Sequence, residues 1–195
     1  MLSTVRMRIE PDAAQREFID STLDVHRYVY NGMLTAVKMF FGMNGRLPSE
    51  DDLNRVGTRI WRNTPCFRGI YQNTMNYISK RVLSAYRSCN GNVRITDRKT
   101  DPDGHESGTL SLTKPRVKHL GRYRSFSYLS DKSFSIVNYE TGSGRTRRGL
   151  KLGKMPGILR CYNQSTPIGG KPKTCTVSKV DYGTHAKYFA SITCE

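Results

Sequence analysis

Apolar side chains recur along this chain with two different periods, and the change falls near residue 114. Thr4–Ile9 alternates, with Val5, Met7 and Ile9 on one side and Arg6 and Arg8 on the other, the pattern of a half-buried strand. Pro11-Asp12 ends it. From Ala13 to Phe41 the positions Phe18, Thr22, Val25, Val29, Gly32, Ala36 and Phe40 recur every three or four residues. That spacing predicts one long helix with a single buried stripe, read as core and not as a partner surface. Gly42–Pro48 reads as a turn. Ser49 is a good N-cap, with Asp52 three residues on and Glu50 and Asp51 in the first turn, where the helix dipole favours acids. This second helix should run to about Arg62 and stop before Pro65. A third is expected over Ile70–Ser88, with Ile70, Met75, Ile78, Val82 and Ala85 inward and Asn90-Gly91 as its end.

Residues 92–113 are polar, carry Asp-Pro-Asp-Gly at 101–104 and have almost no large apolar side chain. They predict a mobile linker or loop, with room for a short hairpin but not for a core. Beyond Lys114 the pattern turns to short strands bounded by Gly, Pro, Asn or Asp: Phe126–Leu129, Ser133–Asn138, Gly149–Lys154, Gly157–Tyr162, Lys173–Val180 and Lys187–Cys194. Six such strands suggest a small antiparallel barrel or sandwich. Thr4–Ile9 has no partner within the helical part, so it is expected to pair into this sheet. The expected class is α+β, a small antiparallel β-barrel whose first strand (1–11) and remainder (114–195) are interrupted by a helical insertion (12–91) and the loop (92–113). There is no internal repeat.

Charge sharpens the picture. Among 195 residues, 32 Lys and Arg face 16 Asp and Glu, a formal net charge of +16 that repels itself in the free protein. Residues 1–91 hold 13 basic and 8 acidic side chains, and residues 92–195 hold 19 and 8, so the second half is the stronger candidate for phosphate contact. A polyanionic partner is the usual reason for such an excess, nucleic acid first and an acidic membrane surface second. No apolar run approaches the roughly 18–20 residues of a spanning helix, and the N-terminus lacks the layout of a signal peptide. The expectation is therefore a soluble cytoplasmic protein, nucleoid-associated or at work in an infected prokaryotic cell, with no membrane partner. The cysteines Cys66, Cys89, Cys161, Cys175 and Cys194 are odd in number and widely spaced, which fits reduced thiols better than a zinc site.

Two basic clusters are candidates for binding. Lys114, Arg116, Lys118, Arg122 and Arg124 place five cations within eleven residues with no acid among them, and Pro115 and Gly121 keep the segment extended. Tyr123 and Phe126 add flat surfaces on which bases can stack. Arg145, Arg147, Arg148, Lys151 and Lys154 span a Gly-rich turn and a strand, where Arg147 and Lys151 should share a face. Lys171, Lys173, Lys179 and Lys187 add charge to the last strands, in competition with simple edge protection. Catalytic constellations are absent. His26, His105, His119 and His185 are scattered, His26 being better explained by packing, and Asp101, Asp103 and Glu106 by solvation. No cofactor and no metal site is expected.

A family resemblance now becomes legible. Met7-Arg-Ile-Glu-Pro-Asp-Ala-Ala-Gln15 resembles the opening strand and helix start of TnpB-type (OrfB-type) transposon proteins and their type V CRISPR effector relatives. Arg27-Tyr-Val-Tyr-Asn31 resembles their aromatic "R-F-V-Y-N" segment, the most specific of these matches. Tyr71-Gln-Asn through Leu83-Ser-Ala-Tyr86 is similar to a later helix, and Lys114-Pro-Arg-Val-Lys118 to an "F-P-R-F-K" element, with Leu112 and Val117 in place of the usual aromatics. Ser125-Phe-Ser-Tyr128, Lys173-Thr-Cys-Thr-Val-Ser178 and Lys187-Tyr-Phe-Ala-Ser191 resemble strands that follow. The resemblance implies a wedge domain, an oligonucleotide-binding-like barrel, interrupted by a helical recognition lobe. Such a pair grips guide RNA scaffold, heteroduplex and the short DNA motif beside the target.

Several functional expectations follow from it. The RuvC-like nuclease domain that comes next in such proteins is not part of this chain, so no cleavage activity of its own is expected. The implied partners are a structured guide RNA, target DNA and a separately encoded RuvC-like nuclease subunit or a CRISPR effector. Tyr71, Gln72, Asn73 and Asn76 are carried over as candidates for reading the flanking DNA motif, since Asn and Gln suit adenine edges. The alternatives are a stand-alone, non-cutting repressor or anti-CRISPR-like inhibitor that sequesters guide RNA, and a degenerate transposon fragment.

Overall fold

A computed structural model describes residues 2–88, 93–100, 106–112, 115–162 and 169–195. The first strand, β1 (Ser3–Glu10), leads into α1 (Ala13–Asn44), a 32-residue helix. At about 1.5 Å per residue this helix is some 48 Å long. Asp12 caps it in a reciprocal box: its carboxylate accepts from the Gln15 N–H at 2.9 Å, and the Gln15 side chain accepts from the Asp12 N–H at 3.1 Å. Gly45, at φ 65°, closes its C-terminus, returning its N–H to the Phe41 carbonyl. The second helix, α2 (Glu50–Asn63), has the same kind of box at Ser49 and Asp52, as the sequence signal predicts.

The third helix is shorter than expected. Pro65–Gly69 and Gln72–Thr74 form single 3-10 turns, and α3 proper spans Asn76–Ser88. Of its expected inward residues, Ile70, Met75, Ile78 and Val82 are buried, while Tyr86 takes the place of Ala85.

The stripe expected on α1 is rotated. Thr22 and Val29 are buried, but Phe18, Val25, Gly32, Ala36 and Phe40 lie at the rim of the buried arc. The centre of that arc is Ile19, Leu23, His26, Tyr30, Met33 and Val37. The reason is that α1 packs on α2, on α3 and on the sheet at once, which buries an arc wider than one stripe. Where α1 meets α2, Gly57 gives the space taken by the Met33 methyl.

Residues 93–100 and 106–112, expected as a loop with room for a short hairpin, form strands β2 (Val93–Thr100) and β3 (Glu106–Leu112). They pair with each other and with no strand of the larger sheet. That larger sheet holds β4 (Ser125–Tyr128), β5 (Phe134–Glu140), β6 (Thr146–Leu152), β7 (Leu159–Tyr162), β8 (Pro172–Asp181) and β9 (Ala186–Cys194) together with β1. Its order is β4-β8-β9-β1-β7-β6-β5, and every pairing is antiparallel. β1 thus pairs far along the chain, between β9 and β7, as its lack of a helical partner predicts.

The sheet is not the closed barrel expected from the strand count, since its edge strands β4 and β5 share no ladder. It is nevertheless strongly coiled, and chain connectivity requires this. Across a flat seven-stranded sheet the edges would stand about 29 Å apart at about 4.8 Å per strand. Only residues 129–133 join β4 to β5. Fully extended, they reach about 22 Å. β4 meets the end of β6, beside the start of the edge strand β5, where the Tyr128 hydroxyl donates to the Gly153 carbonyl at 3.1 Å and the Gly153 N–H extends the β5–β6 pair to the Ser133 carbonyl at 2.8 Å. The concave face carries Met7, Ile9, Phe126, Leu150, Leu159, Val177, Ala190 and Ile192, continuous with the helical core.

Candidate nucleic-acid interface

A wide concave surface lies between α2 and α3. α2 buries only Leu53 and Gly57 fully and leaves its other face to solvent. On that face Arg55, Arg59 and Arg62 follow one another at helical spacing, all exposed. Opposite them stand Gln72, Asn73 and Asn76, and Asn54, Thr58 and Asn63 complete the wall of a cleft of about 790 Å³. Asp51 is its one acidic lining residue. Three forked cations beside a row of amides provide both what a phosphate backbone and what base edges require. Gln72, Asn73 and Asn76 are legible in the sequence as candidates, and the i, i+4, i+7 spacing of Arg55, Arg59 and Arg62 is the signal that places these arginines on one helix face. Tyr71 does not join the cleft. It is half-buried, with its ring 6.1 Å from that of Tyr128 and against the Cα of Gly153.

The basic segment after residue 114 is extended and anchored from below. Lys114 lies outside the described residues. Pro115 is buried, while Arg116, Arg122 and Arg124 are exposed and Lys118 is half-exposed. The Asn31 amide donates to the Lys118 carbonyl and accepts from its N–H, both at 2.9 Å. Gly121, at φ 70°, turns the chain, and the Arg124 carbonyl accepts from the Lys179 N–H at 2.9 Å.

Tyr123, expected to stack on bases, is instead 3% exposed. In an extended segment neighbouring side chains point to opposite sides, so with Arg122 and Arg124 outward Tyr123 must point inward. There its ring meets His26 at 6.1 Å and Tyr30 at 5.8 Å, with the Arg81 guanidinium 4.5 Å above it. Burial pushes its hydroxyl up to about 12. Phe126 is fully buried as well. Arg81 also donates to the Ser125 carbonyl at 2.9 Å and so ties α3 to β4. His26 is buried, with Nδ1 2.7 Å from the Thr22 carbonyl. Burial holds its pKa down at about 4, against the pull of the Thr22 and Thr74 backbone.

Strand alternation divides the second cluster. Arg147 and Lys151 share the convex face of β6, as expected, and Arg148 points the other way. Arg145 sits in the β5–β6 turn. Lys154 donates to the Arg68 carbonyl and lies 6.0 Å from the Trp61 ring, which ties it to the segment after α2. Lys171 pairs with Asp131 at 3.4 Å, Lys173 with Glu195 at 2.7 Å and Lys179 with Asp20 at 2.7 Å. Lys187 stands 4.8 Å from the Tyr182 ring.

Residues 1–39 match the family model HTH_OrfB_IS605, a helix-turn-helix domain. This supports an N-terminal region of the TnpB/OrfB transposase type and points to DNA binding in a transposon-related protein. The matched stretch is one fifth of the chain and holds the Arg27–Asn31 segment. It folds as β1 followed by α1 up to Met39, with no break in the helix. The turn into a second helix comes later, at residues 45–49, so α2 with its arginines follows directly on the matched stretch. No curated protein matches the chain.

Among the described residues, no helix is long and apolar enough to cross a membrane. Nor is any group of three or more His, Cys, Asp or Glu side chains among them placed to hold a metal ion. Asp101 and Asp103 lie outside the described residues. Cys66, Cys161, Cys175 and Cys194 are thiols and not disulfides, and burial pushes the Cys161 thiol up to about 11 and Cys175 to about 12.

Proposed function

We propose that this chain is the nucleic-acid-recognition part of a TnpB-like, RNA-guided system. In this reading it binds a guide RNA scaffold and the target DNA and contributes no cleavage step of its own. The coiled sheet acts as the wedge, and the α1–α3 block between β1 and β4 as the recognition lobe. The observation that carries the reading is the α2–α3 cleft, where Arg55, Arg59 and Arg62 face Gln72, Asn73 and Asn76. The cations supply sequence-independent grip on phosphates, and the amides supply donor–acceptor pairs suited to adenine edges. The OrfB-type match at residues 1–39 supports the same class of ligand. The exposed cations Arg116, Arg122 and Arg124 add a second contact line for the RNA backbone.

The test is to express the chain with its genomic neighbourhood, purify it, sequence the RNA that accompanies it and identify any accompanying protein. The purified complex is then selected against duplexes carrying a randomised segment beside a guide-matched target. One enriched structured RNA and one enriched flanking motif are expected. Recovery of no specific RNA and no motif overturns the proposal.

A further inference from the structure

The convex face of the sheet has a composition that neither the cleft nor the basic segment accounts for. Register places Phe189 of β9 opposite Arg8 of β1, and Arg8 opposite Tyr162 of β7, an aromatic–cation–aromatic row across three strands. The adjacent row runs from Glu10 through Arg160 to Gly149. On the side of that row where Tyr162 stands, Tyr139 of β5 lies opposite Arg147 of β6. Gly149 lets the Tyr139 ring and the Ile158 side chain settle against the backbone: a Cβ there would sit 2.4 Å from the Ile158 side chain and 3.1 Å from the Tyr139 ring. The Tyr162 hydroxyl donates to Glu10, which fixes the orientation of its ring. Arg6 stacks over Phe189 at 4.1 Å from the ring centroid, an arrangement that leaves the edge of a guanidinium free to bond an anion. Tyr139, Arg147, Arg160 and Tyr162 border a shallow recess of about 340 Å³, with Glu140 at its rim.

We propose that this convex face is a stacking platform for single-stranded RNA. Tyr139 and Tyr162 take bases, Arg8, Arg147 and Arg160 take the phosphates beside them, and the Arg6 guanidinium, stacked on Phe189, ends the row with a further phosphate contact. Flat rings separated by cations on a sheet suit an unpaired strand, whose base faces are free, and not a duplex, whose faces are stacked away. Ribose is favoured because the same face continues into hydroxyls: Ser191 lies opposite Arg6, and the Thr4 and Thr193 hydroxyls, bonded to each other at 3.1 Å, each keep a lone pair for a further donor. Such hydroxyls can bond a 2′-OH, which DNA lacks. The proposal goes beyond the α2–α3 cleft and does not depend on it.

The experiment uses the full chain and a fluorescein-labelled 12-nucleotide single-stranded RNA, read by anisotropy, with a DNA strand of the same sequence and an RNA hairpin as competitors. Tighter binding of the RNA strand than of either competitor is expected. Tyr139→Ala and Tyr162→Ala should each weaken it on the order of tenfold, the scale of one lost base stack. Tyr182→Ala, which removes an exposed ring outside the platform, should not. Independently of any variant, photocrosslinking of 4-thiouridine-substituted RNA to the wild-type chain should label Tyr139 or Tyr162. DNA bound as tightly as RNA, unchanged affinity in both tyrosine variants, or crosslinks confined to other surfaces overturns the proposal. Crosslinks confined to the α2–α3 cleft would do so while leaving the cleft reading intact.

Discussion

Asn31 grips the backbone of Lys118 as a neighbouring strand would. Its amide nitrogen donates to the Lys118 carbonyl and its amide oxygen accepts from the Lys118 N–H, each at 2.9 Å. A carboxamide presents one donor side and one acceptor side in a plane, as a peptide does, so it can satisfy both groups of one residue at once. An extended segment with cations on its outer side is thereby fastened to the middle of α1 without a sheet partner there. The asparagine that ends the Arg27–Asn31 segment thus sets where Arg116, Arg122 and Arg124 stand.

Replacing Asn31 by Ala removes two hydrogen bonds of about 1 kcal/mol each and leaves both Lys118 backbone groups to find water. Asn31→Ala is expected to lower unfolding stability by about 2 kcal/mol and to hasten limited proteolysis after Arg116 and Lys118. Asn31→Asp keeps the acceptor but turns a carboxylate oxygen onto the Lys118 carbonyl, so it should destabilise at least as much as Asn31→Ala. Urea unfolding and tryptic mapping check both. A variant as stable and as protease-resistant as the parent would show the clamp to be idle.

What the sequence made legible and what it hid follow from the range of each signal. Both capping boxes, Asp12 with Gln15 and Ser49 with Asp52, act over three residues and could be read directly. So could the outward Arg6 and Arg8 of β1, because a strand alternates whatever its partners are. The phase of α1 was hidden, since Phe18, Val25 and Phe40 are as apolar as Ile19, Leu23 and Val37. Only the positions of α2, α3 and the sheet decide which of them lie at the centre of the arc. Barrel closure was hidden as well, because coiling is set by pairing order and by the Tyr128–Gly153 bond, which no local pattern encodes. In the site, Gln72, Asn73 and Asn76 came from resemblance, while Arg55, Arg59 and Arg62 became meaningful only once α2 was seen to face them. Aromatics next to cations read alike whether they point out to a base or in to a core, and Tyr123 points in.

His26 makes stability depend on pH in a defined window. Its folded pKa of about 4 lies below the ordinary value of 6.5 because burial penalises the charged ring. As pH falls through 6.5 the unfolded chain takes up a proton that the folded chain refuses. Stability is therefore full above pH 7 and is lost progressively as pH falls toward 4, by about 3 kcal/mol from this group. Urea unfolding at pH 7.5, 6, 5 and 4.5 should show the decline, and His26→Gln should remove this part of the slope whatever its baseline stability. An identical slope in the variant would assign the acid sensitivity to other groups.

The coil of the sheet depends on Gly153, where β4 meets the end of β6. A Cβ there would stand 3.1 Å from both the Ser133 carbonyl and the Tyr71 ring. Gly153→Ala is expected to cost on the order of 2 kcal/mol by overpacking. Tyr128→Phe should cost about 1 kcal/mol through its lost hydrogen bond alone. Thermal unfolding ranks them, and the reverse order would mean that the hydroxyl and not the close approach sets the edge.

Arg116 and Lys118 test the basic segment. Each phosphate contact contributes to the salt dependence of binding, so reversing both to Glu should weaken RNA binding steeply and lower the log–log salt slope by about 2. Fluorescence anisotropy across a salt series measures both quantities. An unchanged affinity with an unchanged slope would remove the segment from the footprint.

The α2–α3 cleft predicts two separable kinds of variant. A cation that holds a phosphate acts on every sequence alike, so Arg59→Ala should weaken binding to all flanking sequences by a similar factor and reduce the salt slope by about 1. An amide that reads a base edge acts at one position. Asn73→Ala or Asn76→Ala should therefore cost about 1–3 kcal/mol against the preferred motif, little against a motif already mismatched there, and leave the salt slope unchanged. Both residues are exposed and outside the core, so folding is not at risk. Selection from a randomised flanking library, run in parallel on the parent and the two kinds of variant, separates the outcomes. A relaxed preference at one position with the amides removed would assign motif reading to α3, and a uniform loss from every variant would make the cleft a phosphate grip without readout.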